Sequence, residues 1–241
     1  MTAPGLPPAN SHPWGTDPHP QPRDPHPPST ELPPQPDSAA VGPRAPVASS
    51  APRELWLVRH GETEWSLSGA HTGSTDIPLT ENGRAGAMAV GRYLAGRRFG
   101  LVLVSPLQRA RETCRLAGYE DVAQVEPNLR EWGYGDIEGR TTAEVREAHP
   151  GWSLWDDGPP RGESVEQVAT RARAIIQGIE KTGSDVLLFA HGHVLRILTA
   201  CWLELPPNTA RRFALGTASI GVLGSERETR AILRWNLSTW E

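Results

Sequence analysis

The chain of 241 residues contains only two cysteines, Cys114 and Cys201. Two thiols cannot form a disulfide framework or a four-cysteine zinc site, so small disulfide-rich domains and four-cysteine zinc domains are excluded. The cysteines have no CxxC spacing, and each lies in a segment of helical character. We therefore expect both to be buried apolar residues in a reduced, cytoplasmic protein.

Long apolar runs and a surplus of basic charge are also missing. No segment approaches the roughly 20 apolar residues that a membrane helix needs, and the first residues lack the pattern of a secretory signal. The net charge is −4 and the pI is about 6.1, which argues against a nucleic-acid surface. We expect neither a membrane nor a nucleic acid among the partners.

Proline is scarce after residue 52. Of the 24 prolines, 16 lie at or before Pro52, in a segment with few apolar residues. Such a segment cannot offset the entropy cost of ordering, so we predict a disordered Pro-rich tail over 1–52. The rest of the chain, 53–241, is long enough to form one domain with a substantial core.

Five short apolar runs predict the strands of this domain, over 54–60, 100–106, 185–192, 219–225 and 231–237. Their continuous apolar character is typical of strands covered on both faces. Helical patterns lie over 80–96, 106–118, 163–183 and 191–205, the first with Thr80 as N-cap and Gly96 at its end. This alternation predicts an α/β fold: a three-layer sandwich with a mostly parallel central sheet and helices on both faces.

Three of the predicted strands end in residues that carry chemistry. Arg59 and His60 end the first strand, Ser105 leads from the second strand to Arg109, and His191 ends the third. Because ligands gather at the carboxyl ends of strands in such sheets, we expect these side chains to meet.

Two arginines and two histidines are suited to a tetrahedral anion. Guanidinium groups match oxyanions, one imidazole can act as a nucleophile, and the other can stabilise developing charge. His191 and His193 would face opposite sides of an extended segment, so we expect no metal and no cofactor. The pattern favours phosphoryl transfer, with Glu131, Asp136 and Glu138 as candidate proton donors.

Six sequence blocks lie in order along residues 53–241. They are LVRHGETEWS, HTGSTDIPLTENGR, VSPLQRARET, LREWGYGDIEG, GESVEQV and FAHGH. A single Arg-His-Gly is a weak signal, whereas six ordered blocks are specific. Together they resemble the histidine phosphatase superfamily, in its phosphoglycerate-mutase-like branch.

The resemblance implies a role for each matched residue. His60 would be the phosphorylated nucleophile, Glu131 the proton donor to the leaving oxygen, and His191 a stabiliser of the transferring group. The implied phosphate contacts are Arg59, Arg109, Ser66, Thr72, Gly73 and His191. The substrate would be a small phosphate ester, and edge-strand pairing among relatives leaves a homodimer as a further expectation.

Departures from the mutase pattern favour hydrolysis. Ser66 stands where many mutases carry Asn, and Glu131 is followed by Trp-Gly-Tyr-Gly instead of Arg-His-Tyr-Gly. The groups that would hold a glycerate carboxylate are absent, and so is the long insertion associated with such mutases. The blocks are most similar to acid phosphatases and sugar bisphosphatases, which predicts a phosphomonoesterase. A phosphoglycerate mutase and a non-catalytic phospho-ligand binding module are the alternatives.

Other residues have ordinary structural interpretations, and three of them have a functional alternative. Trp152 and Trp155 either line the substrate cavity or cap the core, and His71 either contacts substrate or makes a surface hydrogen bond. Glu163 is expected in the first turn of a helix, and Arg171 on the solvated face of that helix.

Overall fold

The computed structural model describes residues 54–239, so the predicted tail over 1–52 lies outside the described residues. Six strands of this range form one sheet: β1 (Leu55–Arg59), β2 (Leu101–Val104), β3 (Ala123–Val125), β4 (Val186–Ala190), β5 (Ile220–Glu226) and β6 (Thr229–Leu237). Their order across the sheet is β3-β2-β4-β1-β5-β6. The first four run parallel, and β5 and β6 extend the sheet in antiparallel pairing. The predicted, mostly parallel sheet is confirmed.

Helices cover both faces of this sheet. The α-helices of residues 54–239 are α1 (Glu64–Ser68), α2 (Glu81–Leu94), α3 (Gln108–Leu116), α4 (Thr142–Ala148), α5 (Val165–Ile179) and α6 (Gly192–Trp202). Leu55 and Leu57 of β1 pack in a core cluster with α5 and α6, whereas Trp56 and Val58 pack with α2 and α3. Because neighbouring side chains of a strand point to opposite faces, both faces need apolar residues. The predicted three-layer sandwich is confirmed.

The two cysteines belong to these two cores. Cys114 lies in the cluster with α2 and α3, Cys201 lies in the other, and both are free, buried thiols, as predicted. Burial raises the pKa of the Cys114 thiol to about 12. No helix within residues 54–239 is both long and apolar enough to span a membrane.

Side-chain caps explain where the main helices begin. Thr80 accepts a hydrogen bond from the backbone of Gly83 at 3.0 Å and caps α2, as predicted. Ser164 caps α5 in a reciprocal pair with Gln167. The sequence did not predict β3, α1 or α4, because these short elements have neither a continuous apolar run nor enough periodic positions.

Candidate active site

Adjacent strands deliver the predicted residues to one edge of the sheet. β2, β4 and β1 are neighbours and run parallel, so their carboxyl ends lie together. His60 follows β1, Ser105 follows β2, and His191 follows β4. The ring centroids of His60 and His191 are 5.1 Å apart.

His60 is a buried, neutral imidazole. Its Nδ1 lies 2.7 Å from the carbonyl oxygen of Gly61, which can only accept, so Nδ1 carries the proton. Burial lowers the pKa of His60 well below its usual value, and the guanidinium groups of Arg109 and Arg59 lower it further. The lone pair is therefore on Nε2, where a nucleophile needs it.

His191 is also buried and neutral. Arg109 donates from Nε to Nδ1 of His191 at 3.1 Å, so the imidazole proton is on Nε2, which lies 2.7 Å from Oγ of Ser105. Burial lowers the pKa of His191 well below its usual value, and Arg109 is the next cause. Both ring nitrogens of His191 therefore have protein partners.

Arg109 holds a loop as well as an imidazole. Its terminal nitrogens donate to the carbonyl oxygens of Thr72, Gly73 and Thr75, each at 3.0 Å. The N–H of Gly73 donates to Glu138 at 2.8 Å. A Cβ at Gly73 would lie 2.5 Å from Glu138 and 2.7 Å from the backbone oxygen of Trp132, so only glycine fits this approach.

Arg59 has a guanidinium that the protein satisfies only in part. One terminal nitrogen donates to the carbonyl of Leu215 at 2.6 Å, while Nε is buried without a hydrogen-bond partner among the described residues. Burial lowers the pKa of Arg59, and the nearby Glu131 opposes this shift. An unpaired buried N–H is costly, and the same guanidinium lines the cavity described below, where it would bind an anion.

Glu131 lies at the N-terminus of α6. Its carboxylate accepts hydrogen bonds from the backbone N–H groups of Trp132 and Val194, each at 2.9 Å, and of His193 at 3.0 Å. Carboxylates are favoured at this end of a helix by its unpaired N–H groups and its dipole. Glu131 is 6% exposed and still lines the cavity described below.

The loop that carries Glu131 is held by a partly buried ion pair. Arg171 donates to the carbonyls of Asn128, Arg130 and Glu131 and pairs with Glu163 at 3.0 Å. The expectation that Arg171 lies on a solvated helix face is wrong, because its side chain is only 6% exposed. Glu163 is likewise outside the first turn of α5, since it precedes the cap and accepts from the N–H of Gly133.

The other two candidate proton donors are engaged elsewhere. Asp136 pairs with Arg161 at the surface. Glu138 accepts from the N–H groups of Gly73 and Thr75. Neither lines the cavity with His60, so Glu131 is the one carboxyl of the three that does.

A cavity of about 340 Å³ opens at this edge of the sheet. Five predicted site residues line it: Arg59, His60, Ser66, Thr72 and Glu131. Three other predicted residues do not line it: Arg109, Gly73 and His191. Arg109 connects them to the cavity wall, because it bonds to the carbonyls of Thr72 and Gly73 and to the ring of His191. The hydroxyl of Ser66 donates to the carbonyl of Thr63 at 2.8 Å, so its proton is used within α1.

Further cavity residues were not assigned to the site from the sequence: Tyr134, Arg146, His193 and Arg196. Tyr134 and His193 lie beside matched motif residues, and that proximity was the available signal. Arg146 belongs to α4, which was not predicted, and Arg196 lies in the middle of an apolar helix. Of the residues left open, His71 and Trp155 line the cavity, while Trp152 is buried against His71 with ring centroids 5.9 Å apart.

Within residues 54–239, no group of three or more His, Cys, Asp or Glu side chains is arranged to hold a metal ion.

Comparison with known proteins gives a consistent result. The profile described as "Histidine phosphatase superfamily (branch 1)" matches residues 55–238. An acid phosphatase of Mycobacterium tuberculosis is 43% identical over 182 residues, which cover 74% of this chain and 89% of the relative. Sedoheptulose 1,7-bisphosphatase of Saccharomyces cerevisiae is 37% identical over 181 residues, which cover 62% of this chain and 67% of the relative.

A solved structure shows the same similarity. The product of an open reading frame of Mycobacterium tuberculosis matches with a TM-score of 0.74 and 41% identity, over 78% of this chain and 99% of that chain. The names of the relatives agree with the subgroup that the sequence blocks predicted, namely acid phosphatases and sugar bisphosphatases. The chain belongs to the histidine phosphatase superfamily, branch 1.

Proposed function

We propose that this chain is a phosphomonoesterase that hydrolyses small phosphorylated metabolites through a phosphohistidine at His60. One observation carries the proposal: a neutral imidazole, a partly satisfied guanidinium and a carboxyl group line the same cavity, at His60, Arg59 and Glu131. The family and the phosphatases among the relatives support the same reaction.

The reaction takes two steps. In the first, Nε2 of His60 attacks phosphorus and the bond to the ester oxygen breaks. Glu131, which must enter this step as the protonated acid, gives its proton to the leaving oxygen, which departs as an alcohol. In the second, Glu131 takes a proton from water as the water oxygen attacks phosphorus and the phosphorus–nitrogen bond breaks. Inorganic phosphate leaves, and both side chains return to their starting states.

The proposed phosphate contacts differ in how directly they would act. Arg59 is the strongest candidate, because its guanidinium lines the cavity and only one of its nitrogens has a hydrogen-bond acceptor among the described residues. Ser66 and Thr72 line the cavity, and their hydroxyls donate to the carbonyls of Thr63 and Ala70, so each would have to turn from that carbonyl to donate to a phosphoryl oxygen. The remaining three are Arg109, Gly73 and His191. They would either contact the phosphoryl group when it comes closest to the wall or act by holding that wall in place.

The cavity also favours a polar substrate. Arg146 and Arg196 line it, and within residues 54–239 neither is paired with a carboxylate. Each guanidinium is oriented by a backbone carbonyl at Nε, from Trp152 and Ala210 respectively. These cations suit the hydroxyl or anionic groups of a phosphorylated metabolite.

Rapid-quench labelling tests the proposal. With a ³²P-labelled phosphate ester, the wild-type protein should trap acid-labile label that His60→Ala lacks, and the variant should lose at least about 1000-fold in kcat. His149→Gln, at an exposed histidine, is the matched control and should keep the label. Full activity in His60→Ala would overturn the proposal.

A coupled assay separates the alternatives. Phosphoglycerate isomerisation primed with bisphosphoglycerate, without phosphate release, would mean a mutase. Phosphate release near zero across a metabolite panel, with ligand binding retained, would mean a binding module. The homodimer, the cytoplasmic location and the division into a tail and a 53–241 domain stay predictions.

A further inference from the structure

A second pair of titratable groups lies in the cavity wall beside Glu131. Oη of Tyr134 is 2.6 Å from Nδ1 of His193, and both residues line the cavity. The backbone N–H of His193 donates to Oε2 of Glu131 at 3.0 Å, and Nδ1 of its ring is 4.0 Å from the same oxygen. The imidazole therefore lies on the side of the cavity where the leaving oxygen would be protonated.

The protonation of this pair follows from its surroundings. Tyr134 is 2% exposed, and burial, reinforced by Glu131, raises its pKa well above the usual value. Burial, reinforced by Arg196 and Arg59, lowers the pKa of His193 well below the usual value. The phenol keeps its proton and the imidazole is neutral. No other acceptor for the Tyr134 hydroxyl is found among the described residues, so the O–H donates to Nδ1 and the imidazole proton is on Nε2.

The ring is also held in one orientation. Trp132 contacts it edge-on, with centroids 5.9 Å apart, and Trp155 packs against it at 5.3 Å. None of the residues 54–239 accepts a hydrogen bond from Nε2 of His193. The wall thus presents one N–H donor with a fixed tautomer and without a protein partner.

We propose that His193 binds substrate on the leaving-group side, where its Nε2–H donates to an oxygen that the alcohol part carries next to the ester oxygen. This inference rests on the proposed function and deepens it. It assigns the preferred substrates to phosphate esters of polyols or sugars, which have such a neighbouring oxygen, over simple alkyl esters. Tyr134 is a positioning residue, which acts by fixing the tautomer of His193.

A matched pair of esters tests the inference. Glycerol 3-phosphate and propyl phosphate have similar leaving groups, but only the first carries a neighbouring oxygen. In His193→Leu, the loss of kcat/KM for glycerol 3-phosphate should exceed the loss for propyl phosphate by about 10-fold, as expected for one lost hydrogen bond. His149→Leu, at an exposed histidine, should not change this ratio. Equal losses for the two esters would overturn the inference.

Two further variants separate binding from folding. His193→Gln places an amide N–H near the position of Nε2 and should restore most of the preference for glycerol 3-phosphate. Tyr134→Phe keeps the ring and removes the hydroxyl, so it should lower that preference by about 3-fold or more through loss of the fixed tautomer. An unchanged preference for glycerol 3-phosphate in Tyr134→Phe would show that Tyr134 does not position His193.

A spectroscopic measurement makes the test independent of turnover. Long-range ¹H–¹⁵N correlation with ¹⁵N-histidine should show the Nε2–H tautomer for His193, identified by its absence in His193→Gln, and a tautomer mixture in Tyr134→Phe. An Nδ1–H tautomer in the wild-type protein would contradict the inference. Failure of the wild-type protein to release phosphate from any ester would refute the proposed function instead, so the two failures are distinguishable.

Discussion

The Nε–H of Arg109 donates to Nδ1 of His191 across 3.1 Å, in a contact from which solvent is excluded. The same guanidinium holds the carbonyls of Thr72 and Gly73. One residue therefore sets both the tautomer of an imidazole next to His60 and the position of the loop that lines the cavity. The planar fork of arginine is needed for this, because its three separate nitrogens reach four acceptors, whereas an ammonium group has three N–H donors on a single nitrogen.

Arg109→Lys should therefore keep the charge and lose the function. We expect kcat/KM to fall by about 100-fold, because the loop and the tautomer are both released. Arg111→Lys, at an exposed position of the same helix, is the control and should stay within about 2-fold of wild type. Steady-state phosphate release measures both. Near-normal activity in Arg109→Lys would show that charge alone suffices.

Stability should fall as the solution becomes acidic. Burial, reinforced by Arg109, lowers the pKa of both His60 and His191 below that of an exposed imidazole. As the pH falls below about 6.5, the unfolded chain binds protons at these residues before the folded protein does. The free energy of unfolding then falls with pH, by up to about 1.4 kcal/mol per pH unit for each group.

Urea unfolding between about pH 7.5 and 5.5 measures this slope. His191→Gln should flatten the slope by the share of one group, whereas His149→Gln, at an exposed residue, should leave it unchanged. A slope that is the same in all three proteins would show that His191 does not contribute.

The sequence predicted those parts of the fold that repeat a pattern. β1 and β4 were predictable because each of their residues except Arg59 is fully buried, which makes the apolar runs continuous. β3 was not, because it has only three residues, none of them buried, and so forms no apolar run. Its identity depends on pairing with β2, which no local pattern encodes.

The site residues that directly follow a strand were predictable. His60 and His191 adjoin β1 and β4, so topology brings them together. The buried role of Arg171 was not predictable, because its partners, the carbonyls of Asn128 and Arg130, come from a loop distant in the chain. Only the folded structure shows that this helix residue faces that loop.

Arg171 and Arg173 form a natural comparison on α5. Arg171→Ala should lower the free energy of unfolding by about 3 kcal/mol, because it removes a buried guanidinium with its hydrogen bonds to three loop carbonyls and leaves Glu163 paired only with the exposed Arg130. Arg173→Ala breaks an exposed pair with Glu166 and should change it by less than about 0.5 kcal/mol. Urea denaturation gives both values. Similar small effects in the two variants would contradict the conclusion that Arg171 holds the loop that carries Glu131.

Gly192 leaves room for the guanidinium of Arg59. A Cβ there would lie 3.3 Å from Nε and 3.4 Å from Cζ, so Gly192→Ala should displace Arg59 and lower kcat/KM by roughly 10-fold. Gly178→Ala, where the added Cβ would meet nothing within 4 Å beyond its own stretch of helix, should keep its activity and gain about 0.5–1 kcal/mol of stability. Phosphate release and thermal unfolding check the pair, and an active Gly192→Ala would argue against the placement of Arg59.

The proposed role of Glu131 as proton donor predicts an effect that depends on the leaving group. An alkoxide needs a proton as it departs, whereas 4-nitrophenolate leaves readily without one. Glu131→Gln keeps the size of the side chain but cannot transfer a proton. It should therefore lower kcat by at least about 10-fold more for propyl phosphate than for 4-nitrophenyl phosphate. Glu138→Gln is the control, since Glu138 bonds to the loop at Gly73 and does not line the cavity; any loss it causes should be equal for the two esters. If Glu131→Gln also lost activity equally on both, Glu131 would be acting through its hydrogen bonds to α6, and the proton would have to come from another group.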